Sequence, residues 1–124
     1  HSWLAGHSLA FLGIPTPAPL ALLEERFGPL RRRAFLITEY CPGENLLRHL
    51  SADHAPPRQE AASILEFFRM LVRLRISHGD MKATNLLWHD GRLVVIDLDA
   101  LVRHDRHAAF VRAWRRDRAR FLQN

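Results

Sequence analysis

The residues with the clearest chemical potential lie in the segment 78–85, which reads HGDMKATN. Asp80 offers a carboxylate that can accept a proton, and Lys82 offers a cation that can neutralise charge on a transferred phosphoryl group. Asn85 offers an amide oxygen, and Asp97 follows it by twelve residues with a further carboxylate. A base, a cation and hard oxygen ligands in this order are typical of a phosphoryl-transfer site.

The segment between Asn85 and Asp97 predicts how these two residues meet. Apolar stretches at 86–88 and 93–96 flank an Asp-Gly pair, which favours a tight hairpin turn. A hairpin here would return the chain on itself and bring Asn85 close to Asp97. Mg²⁺ prefers hard oxygen ligands and usually keeps several waters, so the two residues are predicted to share this ion with nucleotide phosphates.

Single residues of this set also have simpler interpretations. Asp80 alone could cap a turn, and Asn85 alone could form a turn before a strand. Asp99 is either a second metal ligand or an exposed cap of the next helix, and the supporting role is favoured. His78 is predicted to organise the loop from a buried position, with no part in the chemistry. The combination of all these residues with the hairpin favours a kinase-type catalytic loop.

Around this loop, the hydrophobic pattern predicts several further elements. They are a helix over 1–12, antiparallel strands over 20–23 and 34–38, a short helix over 45–50, an amphipathic helix over 57–75 and a basic helix over 107–122. Phe67 and Phe68 are expected to belong to the core.

Length and composition suit one globular domain. With 124 residues and 48% hydrophobic side chains, the chain could bury roughly two-thirds of its unfolded surface. Neither end resembles a secretory signal, and no apolar run approaches the roughly 20 residues that cross a bilayer. Cys41 is the single cysteine, so it has no internal disulfide partner. A soluble protein of the reducing cytoplasm is predicted.

The net charge of +5 is carried by 17 arginines against one lysine. Arginine suits phosphate and carboxylate recognition, which is compatible with an anionic substrate, an anionic lipid or nucleic acid. Biased base composition of the gene would give the same excess. The basic helix over 107–122 could contact an anionic membrane surface or present the solvated face of a core helix, and nucleic acid is not favoured. Asp105 and Asp117 are expected to dilute its basic surface.

With these segments in place, the chain resembles the protein-kinase-like superfamily, and within it the bacterial lipopolysaccharide core kinases that act on Kdo or heptose. The resemblance covers roughly residues 8–122 and rests on the segments FLITEYCPGENL, HGDMKATN and IDLD. It implies an α+β protein-kinase-like fold of which the chain holds a part. Residues 1–40 would form the end of the N-lobe, and residues 41–124 would form the hinge and the upper C-lobe.

The resemblance also implies ATP and Mg²⁺ as cofactors and a role for each site residue. Asp80 would be the catalytic base and Lys82 a phosphate contact. Asn85 and Asp97 would be metal ligands.

For the nucleotide, the resemblance implies a hinge at residues 38–41. Backbone groups of Glu39 and Cys41 would hydrogen-bond adenine, and Glu44 or Asn45 would lie near the ribose.

Two departures from the protein-kinase pattern bear on the acceptor. Gly79 stands where many regulated protein kinases carry an arginine, so control by a phosphorylated activation loop is not expected. The IDLD segment replaces Asp-Phe-Gly, which favours a small-molecule or glycolipid acceptor, here a sugar hydroxyl of the lipopolysaccharide inner core. A lysine at the position of Lys82 resembles the pattern of protein kinases more than that of aminoglycoside phosphotransferases. A protein kinase, an aminoglycoside-type phosphotransferase and a non-catalytic pseudokinase or binding module stay as alternatives.

One part of a kinase site is absent from the sequence. Kinases of this type orient the nucleotide phosphates with a lysine from an early strand, but Lys82 is the only lysine here. The chain is therefore expected to be a fragment or a degenerate protein that is inactive by itself.

A location in the cytoplasm, with peripheral contact at the inner membrane, is expected.

Overall fold

The structure, a computed structural model, describes residues 1–51 and 53–123. In chain order the elements are α1 (Ser2–Phe11), β1 (Pro19–Phe27), β2 (Leu30–Thr38), β3 (Glu44–Asn45), α2 (Leu46–His49), α3 (Arg58–Leu74), β4 (Ile76–Ser77), a 3₁₀ turn (Ala83–Asn85), β5 (Leu86–His89), β6 (Arg92–Val95), β7 (Val102–Arg103) and α4 (His107–Leu122). Helices and strands are mixed along the chain, as the predicted α+β class requires.

β1 and β2 form an antiparallel pair that is longer than the sequence pattern predicts. The pairing continues to Phe27 and Leu30 at the turn. The added residues are mostly charged, which hid them from a hydrophobic pattern. Glu24 forms ion pairs with Arg26, at 2.7 Å between Oε2 and Nη2, and with Arg31 on the facing strand. Such cross-strand pairs extend a hairpin beyond its apolar section.

This two-stranded sheet is open to solvent on both faces. Every residue of β2 is exposed, including the large apolar side chain of Phe35. The sheet joins the rest of the molecule through α1, where a Cβ on Gly6 would lie 3.1 Å from Cγ of Pro19. The backbone amide of Glu39 also donates to the carbonyl of Ala18 at 2.8 Å.

The core is formed by α1, α3, the β5–β6 hairpin and the loop that precedes the 3₁₀ turn. Its buried apolar residues are Ala5, Leu9, Ile14, Leu46, Phe67, Leu71, Ile76, Met81, Ala83, Leu86, Leu93, Val95, Leu98 and Leu101. Phe68 packs against this cluster and contacts Trp114 and Phe121 edge to face. The prediction that the Phe67–Phe68 pair belongs to the core is confirmed.

Local signals explain where the remaining elements begin and end. Asn45 caps α2, since its Oδ1 accepts a hydrogen bond from the Arg48 amide at 3.1 Å. α3 stops at Arg75, which adopts the left-handed conformation that commonly ends helices. At the β5–β6 turn, Asp90 and Gly91 have φ of 51° and 71°, the positive values that a type I′ hairpin turn needs. The predicted hairpin is confirmed.

α4 is a core helix with a basic outer face. Phe110 and Ala113 are buried on its inner side, and Phe110 stacks on Trp114. Its arginines are exposed. Within residues 1–51 and 53–123, no helix combines the length and the apolar character that crossing a membrane would take.

Candidate active site

A buried histidine organises the loop between β4 and the 3₁₀ turn. His78 is 1% exposed. Its Nδ1 accepts from the Asp80 amide at 3.3 Å, and its Nε2 lies 2.9 Å from the Ile96 carbonyl. The two contacts together assign a neutral ring that donates through Nε2. His78 therefore ties the segment before Asp80 to the end of β6, in agreement with its predicted organising role.

Asp117 supports the same loop from α4. It is 2% exposed, and its two carboxylate oxygens accept from the amides of His78 at 2.6 Å and Gly79 at 3.0 Å. The prediction that Asp117 dilutes an exposed basic surface is wrong, because the side chain points into the protein. Asp117 follows Ala113 by four residues and Phe110 by seven, which places it on the buried face of the helix.

Gly79 has no room for a side chain. Its φ is +85°, and a Cβ would lie 2.6 Å from both the Cβ and the carbonyl oxygen of Ala100. Real Cβ atoms do not approach other atoms this closely. The close approach gives a physical reason for glycine where many regulated protein kinases carry arginine.

Asp80 lies between two cations. Oδ2 is 2.6 Å from Lys82 Nζ, and Oδ1 is 3.3 Å from Arg120 Nε. The hydrogen bond from Lys82 lowers the pKa of Asp80, with further lowering by the charges of Lys82 and Arg120 and an opposing effect of partial desolvation. The group is therefore a carboxylate at neutral pH and can accept a proton. Sequence reasoning missed Arg120, because the ion pair depends on how α4 packs.

Asn85 is placed to offer an oxygen ligand. The side chain is buried, and its Nδ2 donates to the Asp80 carbonyl at 2.9 Å, which orients the amide and leaves Oδ1 as the acceptor. The Asn85 carbonyl in turn accepts from the Ile96 amide at 2.9 Å. This backbone contact brings Asn85 next to the residue before Asp97, as the predicted hairpin requires.

Asp97 and Asp99 line a cleft against the first sheet. Asp97 is exposed and has φ of 59°. Asp99 accepts a hydrogen bond from the Ser2 hydroxyl, which fastens α1 to this loop. Leu36 and Thr38 of β2 line the same cleft, whose volume is about 130 Å³.

The side chains around Asp97 supply too few oxygen ligands for Mg²⁺ by themselves, so a bound nucleotide and waters would have to supply the others. In the described part of the chain, no three His, Cys, Asp or Glu residues cluster closely enough to hold a metal ion. One carboxylate from Asp97 and one amide oxygen from Asn85 are the oxygen types that Mg²⁺ takes, with waters and nucleotide phosphates completing the shell. The metal roles of Asn85, Asp97 and Asp99 stay predictions.

The predicted nucleotide contacts lie apart from this loop. The backbone amide of Glu39 donates a hydrogen bond to the Ala18 carbonyl. The Glu39 carbonyl is therefore the backbone group of this residue that could bind adenine. Glu39 and Cys41 line a separate cavity of about 240 Å³. The Asn45 side chain caps α2, and Glu44 is 3.8 Å from His49 between Oε2 and Nδ1. These nucleotide roles also stay predictions.

A family model adds independent evidence to this geometry. The model described as "Lipopolysaccharide kinase (Kdo/WaaP) family" matches residues 3–120. The chain belongs to this family. The resemblance to lipopolysaccharide core kinases is thereby confirmed.

Individual relatives agree on a kinase-like fold. The chain is 31% identical over 114 residues to the RIO-type serine/threonine-protein kinase Rio1 of Haloferax volcanii, covering 90% of the chain and 37% of that protein. A structure of WaaP in complex with acyl carrier protein matches with a TM-score of 0.74 at 24% identity, over 98% of the chain and 56% of WaaP. Monomeric WbdD matches with a TM-score of 0.57 at 21% identity, over 94% and 28%. The chain thus spans between 28% and 56% of the length of these proteins.

Proposed function

We propose that this chain carries the acceptor and metal side of an ATP- and Mg²⁺-dependent kinase that phosphorylates a sugar hydroxyl of the lipopolysaccharide inner core. The observation that carries the proposal is the Asp80 carboxylate, whose pKa is lowered and whose backbone is fixed by His78 and Asn85. Membership of the lipopolysaccharide kinase family supports the acceptor class.

Each residue of the loop has a task in this proposal. Asp80 would receive the proton of the acceptor hydroxyl as the hydroxyl oxygen bonds to the γ-phosphorus of ATP, while the bond from this phosphorus to the β-phosphate oxygen breaks and ADP leaves. Lys82, 2.6 Å from Asp80, stabilises the negative charge on the transferred group, an effect that is strongest where water is excluded. Asn85 and Asp97 would hold Mg²⁺, which when bound neutralises the phosphate oxygens.

We also propose that these 124 residues alone transfer phosphate negligibly. Lys82 is the only lysine, and the role proposed for it beside Asp80 leaves no second lysine to orient the nucleotide phosphates. The cleft at Asp97, at about 130 Å³, is also below the roughly 300 Å³ at which ordinary ligand pockets begin.

An acceptor screen tests the proposed activity. The protein is produced with the sequence encoded upstream of these residues and is given radiolabelled ATP with inner-core glycolipid, a protein substrate or an aminoglycoside. Label on the glycolipid, lost in Asp80→Asn and kept in Asp105→Asn, is expected. Label on the protein or the aminoglycoside instead would reassign the acceptor, and no label on any of them would favour a pseudokinase.

Location and partners are proposals of the same kind. We place the protein in the cytoplasm with peripheral contact at the inner membrane, supported by the exposed arginines of α4. Vesicles with anionic lipid should retain the chain, and neutral vesicles should not.

Acyl carrier protein is a further candidate partner, on the likeness to the WaaP complex alone, and size-exclusion chromatography of the mixture would test it.

A further inference from the structure

We propose that the cavity beside Asp80 binds an anionic group of the sugar acceptor, a carboxylate or a phosphate, through Arg116 and Arg120. The proposal rests on the proposed function, because it adds a ligand class to the same site. The cavity lies between α4 and the β4–β7 pair, and its volume is about 400 Å³. Small-molecule sites typically measure roughly 300–1,000 Å³, so a sugar would fit.

The cavity joins the candidate base to two cations. Asp80, Arg116 and Arg120 all line it. The two arginines are four residues apart on α4 and therefore share one face of the helix. A sugar whose hydroxyl reaches Asp80 would present its other substituents to these guanidinium groups. Arginine suits this task, because its planar donors match the oxygens of carboxylate and phosphate in pairs.

Two carboxylates also line the cavity, and each is stabilised by hydrogen-bonding partners. Asp117 is 2% exposed and accepts from two backbone amides. Asp80 has Lys82 Nζ at 2.6 Å, outside the lining of this cavity. Arg120 contacts Asp80 through Nε at 3.3 Å, and a guanidinium carries five N–H donors, so this contact is compatible with further hydrogen bonds to a ligand. Around the cavity, the three cationic side chains of Lys82, Arg116 and Arg120 therefore face the two carboxylates of Asp80 and Asp117, and this excess of one positive charge favours an anion.

His104 completes the polar lining and is held in place. Its Nε2 lies 2.8 Å from the Ser77 hydroxyl, and its amide donates to the Arg75 carbonyl at 2.8 Å. This side of the cavity is thus formed by fixed groups of β4 and the segment after β7. Because the cavity is lined by groups of the chain itself, binding of an anionic acceptor can be measured without nucleotide.

The test is a titration of the ¹⁵N-labelled chain followed by NMR, with two matched pairs of probes. The first pair is free Kdo, a sugar acid, and its neutral methyl ester; the second is a hexose phosphate and the parent hexose. Anionic probes should shift the amides of residues 77–80 and 113–120, and the neutral probes should not. Preference for one pair separates carboxylate from phosphate, and either preference supports the proposal.

Matched variants locate the binding site. Arg116→Gln and Arg120→Gln should each weaken binding of the anionic probe about tenfold or more, since each removes a charge-assisted contact. Arg118→Gln removes the same charge from an exposed position of α4 outside the cavity lining and should leave binding nearly unchanged. Equal binding of acid and ester, equal losses in all three variants, or no shift with any probe would overturn the proposal. The glycolipid transfer assay is read separately, so failure here and failure of the kinase proposal are distinct results.

Discussion

Asp117 holds the backbone of the loop before Asp80 through two hydrogen bonds, and the shorter of them joins its Oδ2 to the His78 amide at 2.6 Å. The two residues are 39 positions apart in the chain. α4 therefore fixes the loop that lines the Asp80 cavity. A buried carboxylate whose oxygens are both hydrogen-bonded tolerates loss of either contact poorly.

Asp117→Asn tests this support. The amide nitrogen of asparagine cannot accept a hydrogen bond, so one loop amide loses its partner, and we expect the free energy of unfolding to fall by about 1.5–3 kcal/mol. Urea denaturation measures the change. Asp105→Asn alters an exposed aspartate and should stay within about 0.5 kcal/mol of the wild type. A similar small effect at Asp117 would show that its hydrogen bonds do not hold the loop.

Gly79→Ala tests the contact between the loop and Ala100. The added Cβ would lie 2.6 Å from Ala100 at a φ of +85°, so both overpacking and backbone strain oppose folding, at about 2–5 kcal/mol together. Gly13→Ala is the matched control, because Gly13 has φ of +77° with nothing within 4 Å of its Cβ position. It should cost about 1–2 kcal/mol. Thermal unfolding of both variants gives the comparison, and equal losses would exclude the steric contribution.

The pKa of Asp80 should depend on its two cations to different degrees. The hydrogen bond from Lys82 is the largest cause of the lowered pKa, and Arg120 contributes less. Lys82→Met should therefore raise the pKa more than Arg120→Met does, and Arg118→Met, at an exposed position, should leave it unchanged. A ¹³C NMR titration of the carboxyl carbon measures these values. A larger rise of the Asp80 pKa in Arg120→Met than in Lys82→Met would show that Arg120, and not Lys82, is the main cause of the lowered pKa.

The same titration has a consequence for stability. A lowered pKa means that the folded chain binds this proton less readily than the unfolded chain, so the contribution of Asp80 is present above the unfolded pKa. It is lost as the pH falls through the folded pKa. The stability difference between wild type and Lys82→Met should accordingly shrink on acidification through this range, which urea denaturation at several pH values would detect.

Local sequence signals were sufficient for much of the scaffold. The Asp-Gly turn, the spacing of apolar residues in α3 and the apolar stretches on either side of the turn predict elements that the structure contains. These elements depend on hydrogen bonds and burial over short distances in sequence, which periodicity reports. His78, Asp80 and Asn85 fall within eight residues of each other, so their mutual contacts follow from one loop.

The contributions of α4 to the site could not be predicted in the same way. Arg120 meets Asp80 across 40 residues, and only tertiary packing determines which arginine of a basic helix does so. Asp117 did leave a signal, since it shares the helix face of Phe110 and Ala113. A lone carboxylate on a buried face requires a partner, and the loop amides supply it.

Asp97 offers a test that separates metal binding from backbone strain. It is a non-glycine residue with φ of 59°, and Asp90 at the β5–β6 turn shares this conformation with φ of 51°; both side chains are exposed. Glycine accommodates positive φ without strain but is more flexible when unfolded, so Asp97→Gly and Asp90→Gly should each change the free energy of unfolding by less than about 1 kcal/mol.

Metal affinity should differ between these two variants. Asp97→Gly removes the proposed carboxylate ligand, so binding of Mn²⁺, used as a paramagnetic substitute for Mg²⁺ in the presence of ATP, should weaken about tenfold or more. Asp90→Gly should bind as the wild type does. Relaxation enhancement of solvent water measures both. If Asp97→Gly kept its Mn²⁺ affinity while remaining folded, Asp97 would have no place in the metal site, and the left-handed conformation would need an explanation from the loop alone.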